Sequence, residues 1–408
     1  MLNNNLNNNN FDFAKLLSPI SIADFLEKHW ETQSLHISGR SADFYQTLLS
    51  VEEMDILLAR HHLKPPEIRV VANQQELLPD RYIKPDGSLN LNQLYKAYQE
   101  GHTLIINGLQ QYWQPLAQAC LNVQYFLNHS VVANCYLSPP NSKGLMPHYD
   151  THDVFVLQIE GSKQWYLHPS TDPSLDNVPL LGSFQPVIPE SRLGNPQLSI
   201  QLNPGDLLYV PRGCIHHATT FDDFSLHVTI GVYPAQWIDL VNSAITAIAL
   251  RNAQLRKALP IGYLDNREAV TMLQETFQEI LNTVAIDPHA LGDGLEILRD
   301  RFIHQTTPLP DGHFHQLHQL EEVNLTSTVI KRSGLHCRVI RTGLDSASIQ
   351  FPGNTISGKS HLESSFNFIS NVDHAFKIAE LPDTLTDDGK VTLVKRLIRG
   401  GLLRTVSH

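Results

Sequence analysis

Cysteine is scarce in this sequence. The 408 residues contain four cysteines, Cys120, Cys135, Cys214 and Cys337, and no two of them form a C-x-x-C pair. This spacing excludes a disulfide framework and a zinc ribbon, and it is typical of a reducing compartment. We therefore expect a cytoplasmic protein.

Long apolar runs and several common site motifs are also missing. No stretch of about 18 apolar residues occurs, so no membrane span is expected. The N-terminal MLNNNLNNNN lacks the basic and apolar regions of a signal peptide, and we expect a disordered Asn-rich tail there. The absence of G-x-G-x-x-G, P-loop and G-x-S-x-G motifs argues against nucleotide sites of those types and against a hydrolase nucleophile elbow.

Positive charge is in deficit. Lys and Arg number 30 against 41 Asp and Glu, which gives a net charge of -11 with histidine neutral. This balance argues against a general nucleic-acid binder and suits a basic partner, such as a Lys/Arg-rich protein or peptide. No direct nucleic-acid contact is expected.

The middle of the chain has the pattern of a β-barrel. Residues 131–232 hold short runs rich in Val, Ile, Tyr and Phe, separated by Pro, Gly, Asn and Asp turns. The runs are VVANCYLSP, HDVFVLQIEG, KQWYLHP, LSIQLNPGD, LLYVPRG, IHHATT and SLHVTIGVY. Many short strands at this spacing predict a double-stranded β-helix, the jelly-roll of cupins.

The flanking regions have helical patterns, and a chain of this length should hold more than one core. Ser21 and Ser50 are expected to cap helices in the N-terminal part. The apolar helices after Pro234 could support a homodimer or pack against their own barrel. The last residues resemble a winged helix, for which the acidic chain favours a structural role over DNA binding.

We therefore predict a mixed α and β protein with a double-stranded β-helix core, a helical dimerisation block and a C-terminal winged-helix-like domain. The predicted segments are 1–10, the Asn-rich tail; 11–233, the barrel domain with its N-terminal helices; 234–305, the helical dimerisation domain; 306–335, a linker; and 336–408, the winged-helix-like domain.

One stretch in the barrel region contains residues suited to metal binding. His148 and Asp150 are two residues apart, so on a strand they would project from the same face. A third ligand could come from a distant strand that carries His216 and His217, which face opposite ways. Two histidines and one carboxylate are the ligands of non-haem Fe(II) oxygenases. H-x-D alone would equally fit a surface strand pair.

The wider pattern resembles a known family. The stretch N-x-Y-L-x-P-P-N-S-x-G-x-x-P-H-Y-D, followed by V-L-Q-x-E-G-x-K-x-W, G-D-L-L-Y-x-P-R-G-x-I-H and S-L-H-V-T, resembles the ribosomal oxygenases, which are JmjC-type Fe(II)- and 2-oxoglutarate-dependent protein hydroxylases. The resemblance is close over about residues 134–232 and looser over the helical block and the C-terminal tail.

The resemblance implies roles for individual residues. The implied iron ligands are His148, Asp150 and His216. His216 is chosen because it fills the histidine position of P-R-G-x-I-H. Lys163, in E-G-x-K, would pair with the distal carboxylate of 2-oxoglutarate. Tyr136 and His227 match family positions that line the same co-substrate pocket. Asn134 is expected to join them because it lies two residues from Tyr136, on the same face of the strand. Trp165 is expected in the core, and His152 either in the substrate channel or in a bulge.

The resemblance also implies the activity and its requirements. These are Fe(II), 2-oxoglutarate and O2, with hydroxylation of a His or Arg side chain of a basic, ribosomal protein by a homodimeric enzyme. The alternatives are a hydroxylase of a natural-product precursor peptide, a cupin metal enzyme that does not use 2-oxoglutarate, and a winged-helix regulator with an inactive barrel. The group His313, His315 and His318 is expected in a solvated loop.

Overall fold

The computed structural model describes residues 11–73, 75–169, 179–182, 188–189, 191, 193–264 and 267–406. The chain forms two compact units, Met1–Pro234 and Ala235–His408. The predicted Asn-rich tail and most of the Pro-rich interval 171–197 lie outside the described residues. The finer segment boundaries predicted from the sequence stay predictions.

In the described residues of the first unit, five α-helices are combined with eleven strands. The helices are α1 (Phe13–Leu17), α2 (Ile22–Lys28), α3 (Val51–Arg60), α4 (Leu91–Gln99) and α5 (Gln114–Leu127). The strands are β1 (Leu35–Ile37), β2 (Ile68–Ala72), β3 (Gln75–Glu76), β4 (Thr103–Ile106), β5 (Ser130–Ser138), β6 (Asp153–Gly161), β7 (Lys163–His168), β8 (Leu198–Leu202), β9 (Leu207–Val210), β10 (Ile215–Thr219) and β11 (Ser225–Tyr233).

Local sequence sets the ends of these helices. Ser21 and Ser50 accept the N–H groups of Asp24 and Glu53 and so cap α2 and α3, as predicted. Asn128 ends α5 in the left-handed conformation, with φ of 56°. Side-chain and backbone preferences of a few residues therefore fix where each helix begins or ends.

Two antiparallel sheets form the barrel. The larger has the strand order β1-β9-β6-β11-β5-β4-β2-β3, and the smaller has the order β10-β7-β8. The chain is therefore a mixed α and β protein with a jelly-roll core, which confirms the predicted fold class.

The larger sheet has two different faces. Alternate residues of β5, such as Ala133 and Cys135, belong to a large core that also contains Phe13, Phe25 and Leu116 of the N-terminal helices. The opposite face of the sheet looks toward the smaller sheet across a second apolar cluster. The period of two along each strand therefore separates residues that stabilise the fold from residues that line the barrel interior.

The second unit begins with three long helices, α6 (Trp237–Arg251), α7 (Arg267–Ile286) and α8 (Ala290–Gln305). Its later elements are α9 (His313–His318), β12 (Thr328–Lys331), β13 (Arg338–Gly343), β14 (Ser346–Phe351), β15 (Asn354–Lys359), α10 (Glu363–Asn371), β16 (Phe376–Lys377), α11 (Asp387–Gly400) and β17 (Leu403–Thr405). The strands form two sheets, β13-β14-β15 and β16-β12-β17, around α10 and α11.

One local prediction in this unit is wrong. His313, His315 and His318 lie on the short helix α9 instead of in a solvated loop. The proline-flanked, polar sequence hid this helix because its stability comes from tertiary packing, which includes Leu317 against the C-terminal core. Within the described part of the chain, every helix is too short or too polar to cross a lipid bilayer.

Candidate metal and co-substrate site

The H-x-D pair does not lie on a regular strand, so that part of the prediction is wrong. β6 begins only at Asp153, and His148 makes an isolated bridge to His216 of β10. The N–H of His148 donates to the carbonyl of His216 over 3.2 Å, and the N–H of His216 donates back over 2.8 Å. This bridge, rather than strand pairing along β6, places the two histidines side by side.

His148, Asp150 and His216 form one cluster. One ligand atom of each lies within 4.8 Å of those of the other two. Nε2 of His216 is 3.5 Å from Oδ2 of Asp150, and the two imidazole centroids are 4.6 Å apart. The fold thus brings together the three residues that the resemblance assigned to iron.

The two imidazoles are oriented for metal binding. Nδ1 of His148 donates to the carbonyl of Met146 over 2.7 Å, and Nδ1 of His216 donates to the carbonyl of Cys214 over 2.9 Å. Since a carbonyl only accepts, each Nδ1 carries a proton, and Nε2 is the ring nitrogen left to bind a metal. Burial and the neighbouring His148 lower the pKa of His216 to about 4, so its ring is neutral at physiological pH.

His217 lies outside the cluster. Its ring stacks on Tyr166 at 4.8 Å and on His168 at 5.3 Å, so it lines the cavity without joining the three clustered residues. A set of two imidazoles and one carboxylate fits Fe(II) and leaves positions open for further ligands. The residues present therefore fit the metal that the resemblance implies.

A buried lysine lies in the same cavity. Lys163 is 5% exposed, and its Nζ donates to Oγ of Ser138 over 2.9 Å. Ser138 in turn shares a hydrogen bond of 2.9 Å with Thr103. Among the described residues, no carboxylate lies within ion-pair distance of Lys163, and burial lowers its pKa to about 7. A buried ammonium without a counter-charge is unfavourable, and a carboxylate ligand would stabilise it.

The remaining predicted pocket residues line the same cavity as Lys163. The rings of Tyr136 and His227 stack in parallel at 4.7 Å. Burial and the Asp150 charge raise the pKa of Tyr136 to about 12, so its hydroxyl stays protonated and can donate. Burial and the nearby Lys163 hold the pKa of His227 well below its usual value, so this ring is neutral. Oδ1 of Asn134 accepts the N–H of Gly108 over 3.0 Å.

The candidate metal ligands and the candidate co-substrate residues line one cavity of about 310 Å³ between the two sheets. His152 also lines it, with its ring stacked on Tyr233 at 4.3 Å. The lining residues are Arg69, Thr103, Ile105, Asn107, Asn134, Tyr136, Gly144, Leu145, Met146, His148, Asp150, His152, Val154, Lys163, Trp165, His216, His217, Ala218, His227 and Thr229.

Sequence reasoning missed several lining residues. Thr229 lines the cavity and lies two positions after His227, and Ser138, which accepts the hydrogen bond from Lys163, lies two positions after Tyr136. The period of two along a strand, applied one step further, would have found both. No sequence pattern of this kind predicts that Arg69 lines the cavity. It enters the site through a cross-strand row in which Arg69 pairs with Ile105, Ile105 with Tyr136, and Tyr136 with His227.

Arg212 is a further missed residue, and it positions both ligand segments. Its guanidinium donates to Oδ2 of Asp153 over 2.8 Å and to Glu31 over 2.5 Å, while Asp153 also accepts the hydroxyl of Tyr209 over 2.7 Å. Asp153 follows Asp150 by three residues, and Arg212 precedes His216 by four. This buried network therefore ties the two segments that carry the candidate ligands.

Replacing Arg212 with alanine should lower the free energy of unfolding by about 3–5 kcal/mol, because it leaves the fully buried Asp153 without its counter-charge. Urea denaturation measures this change. Arg299→Ala, which removes an exposed ion pair with Glu296, is the matched control and should lose less than about 1 kcal/mol. Equal losses in the two variants would contradict the positioning role.

Comparisons with known proteins agree with this geometry. Residues 109–240 match the JmjC domain family. Similar curated proteins are named bifunctional lysine-specific demethylase and histidyl-hydroxylase NO66. The protein from Drosophila persimilis is 27% identical over 96% of this chain, and those from Drosophila grimshawi and Aedes aegypti are 31% and 30% identical over 72%. The chain spans only 62%, 42% and 48% of the length of these relatives.

Solved structures extend the match in fold to almost the whole chain. The Escherichia coli ribosomal oxygenase YcfD superposes with a TM-score of 0.53 at 16% identity, over 95% of this chain and 99% of YcfD. The structure of YcfD in complex with cobalt and 2-oxoglutarate matches with a TM-score of 0.52. At this level of identity the likeness concerns the fold.

Proposed function

The chain belongs to the ribosomal oxygenase family of JmjC-domain proteins, and from this premise we propose that it is an Fe(II)- and 2-oxoglutarate-dependent oxygenase that hydroxylates a side chain of a protein substrate. The observation that carries the proposal is the cluster of His148, Asp150 and His216 in the same cavity as the buried Lys163.

The chain's own residues would each have a defined task. His148, Asp150 and His216 hold Fe(II), and Lys163 with the Tyr136 hydroxyl binds the distal carboxylate of 2-oxoglutarate. Bound Fe(II) and 2-oxoglutarate supply the oxidative decarboxylation that allows one oxygen atom of O2 to enter a C–H bond. The apolar wall between the two sheets excludes water from this reaction.

We further propose that the substrate is a basic protein, such as a ribosomal protein. Most of the negative charge lies in the unit that holds the cavity, since residues 1–234 contain 22 Asp and Glu against 13 Lys and Arg. An acidic surface of this kind accelerates association with a basic partner. The name of the YcfD relative, a ribosomal oxygenase, supports the same substrate class.

The target side chain is proposed to be histidine rather than arginine. Arg69 lines the cavity and is held there by an ion pair with Glu76 on the β2–β3 hairpin. Its guanidinium adds positive charge beside the cavity, which disfavours a cationic side chain more than a neutral imidazole. The name histidyl-hydroxylase carried by the NO66 relatives supports this choice.

A homodimer remains our proposal for the assembly. Large apolar side chains are exposed on the three helices that open the second unit, including Trp237 (82%), Leu250 (75%) and Ile286 (81%). Apolar surface of this extent on neighbouring helices is typical of a protein interface. A cytoplasmic location and the absence of direct nucleic-acid or membrane contact stay predictions from the sequence.

The test is succinate formation by protein loaded anaerobically with Fe(II) and then given 2-oxoglutarate and O2. Turnover should rise when ribosomal proteins from the same cell are added, and one of them should gain the mass of one oxygen atom on a histidine. His216→Ala is the inactive control. Turnover without a modified ribosomal protein would favour a precursor peptide as the substrate. The lack of any 2-oxoglutarate binding would contradict the proposed function.

A further inference from the structure

Trp165 lies between the candidate metal ligands and the candidate co-substrate residues. It is on β7, two residues after Lys163 and on the same face of the strand. Its indole stacks on the ring of His216, with centroids 6.0 Å apart, and meets the ring of His227 edge-on at 5.6 Å. The sequence placed Trp165 in the core, but this indole also lines the cavity.

The indole N–H of Trp165 is buried and lacks a partner. The side chain is 6% exposed, and Nε1 makes no hydrogen bond to any residue that the structure describes. Nδ1 of His227 is likewise buried and makes no hydrogen bond to the described residues. Buried polar groups are almost always hydrogen-bonded, and an unsatisfied one is costly. Two such nitrogens on residues that line one cavity indicate that a bound ligand supplies the missing hydrogen-bond partners.

The chemistry of these groups defines what the ligand must offer. An indole N–H only donates, so its partner must be an acceptor. The Lys163 ammonium lies in the same cavity and favours negative charge. The groups together therefore form a subsite for an anionic oxygen, such as that of a carboxylate.

We propose that Trp165 is a binding residue for the co-substrate, and that its indole N–H donates a hydrogen bond to a carboxylate oxygen of 2-oxoglutarate, with His227 as the neighbouring polar contact. This inference rests on the proposed function. It assigns to Trp165 a polar role in addition to its packing against the barrel interior.

Another tryptophan of the chain provides a contrast. Trp113 is half-buried, and its Nε1 donates to the carbonyl of Leu48 over 2.7 Å. The fold thus satisfies the indole N–H where packing alone is required. Trp165 differs because it lines the cavity and its buried N–H has no acceptor among the described residues.

The first experiment measures 2-oxoglutarate binding to the Zn(II)-loaded full chain by calorimetry. Trp165→Phe keeps an aromatic ring of similar shape and removes the N–H. The variant should bind 2-oxoglutarate about ten- to a hundredfold more weakly, the range for a hydrogen bond to a charged group, with unchanged Zn(II) affinity. Trp113→Phe is the matched control and should bind 2-oxoglutarate as the wild type does.

The second measurement uses the wild-type protein, so it does not depend on the folding of a Trp165 variant. In Zn(II)-loaded protein with ¹⁵N-labelled tryptophan, 2-oxoglutarate should shift the indole N–H resonance of Trp165 downfield. Substitution of the other three tryptophans, Trp30, Trp113 and Trp237, with phenylalanine assigns this resonance by exclusion.

The outcomes separate the inference from the proposed function. An unshifted Trp165 resonance, or wild-type affinity in Trp165→Phe, while 2-oxoglutarate still binds the wild type, would overturn the role of Trp165 and leave the oxygenase proposal intact. Failure of the wild-type protein to bind 2-oxoglutarate would overturn the proposed function, and the role of Trp165 with it.

Discussion

His216→Ala should lower metal affinity and turnover by more than about 100-fold, whereas His217→Ala should change either by no more than about threefold. Loss of a group that only orients a metal ligand costs 10- to 100-fold, so loss of a ligand itself should cost more. His217 instead stacks on Tyr166 and His168 away from the cluster. His217 lines the cavity but is not one of the three clustered residues, so its truncation should have a small effect on metal binding.

Metal affinity is measured by the binding of Co(II) or Fe(II), followed by absorption spectroscopy or calorimetry. Turnover is measured by succinate release. His217→Ala is the matched control, because the two substitutions remove the same side chain at neighbouring positions of β10. Loss of metal binding in His217→Ala with retention in His216→Ala would show that the ligand assignment is wrong.

Lys163→Met should weaken 2-oxoglutarate binding by about two orders of magnitude with little change in metal affinity. Methionine fills a similar volume without the charge, and removing one partner of a buried charge pair costs about 2–5 kcal/mol. The dependence of succinate formation on 2-oxoglutarate concentration measures the change. Lys143→Met, which alters a lysine outside the cavity lining, is the control. Unchanged 2-oxoglutarate affinity in Lys163→Met would contradict the role of Lys163.

The same substitution should stabilise the ligand-free protein at low pH. Burial lowers the pKa of Lys163 from 10.5 to about 7 in the folded state. Between these values the unfolded chain binds a proton that the folded chain does not, so the contribution of Lys163 to stability rises with pH across this window. Below pH 7 both states are protonated and the full penalty of the buried ammonium applies.

Urea denaturation at several pH values measures this effect. Lys163→Met should therefore be more stable than the wild type below pH 7, and the difference should shrink as the pH rises toward 10.5. A difference that is constant with pH would show that the folded protein does not depress the pKa of Lys163. Saturating 2-oxoglutarate should reverse the order, since only the wild type gains the carboxylate contact.

Local sequence patterns predicted much of the barrel. The runs from VVANCYLSP to SLHVTIGVY all contain strands, and the capping residues Ser21 and Ser50 begin helices as expected. These features depend on side-chain preferences within a few residues. The predictions for the H-x-D segment and for His313–His318 were wrong because an isolated bridge and tertiary packing, respectively, set the local conformation there.

The residue types available for chemistry can be read from the amino-acid sequence: the H-x-D pair, the histidine that follows P-R-G, and the lysine in E-G-x-K. Only the tertiary structure placed His216 in the cluster and His217 outside it, brought Arg69 into the cavity, and left the Trp165 N–H without a protein acceptor among the described residues. The reason is physical. Side-chain alternation is a property of one strand, whereas the neighbours of a side chain and its exclusion from water depend on how distant strands close into a barrel.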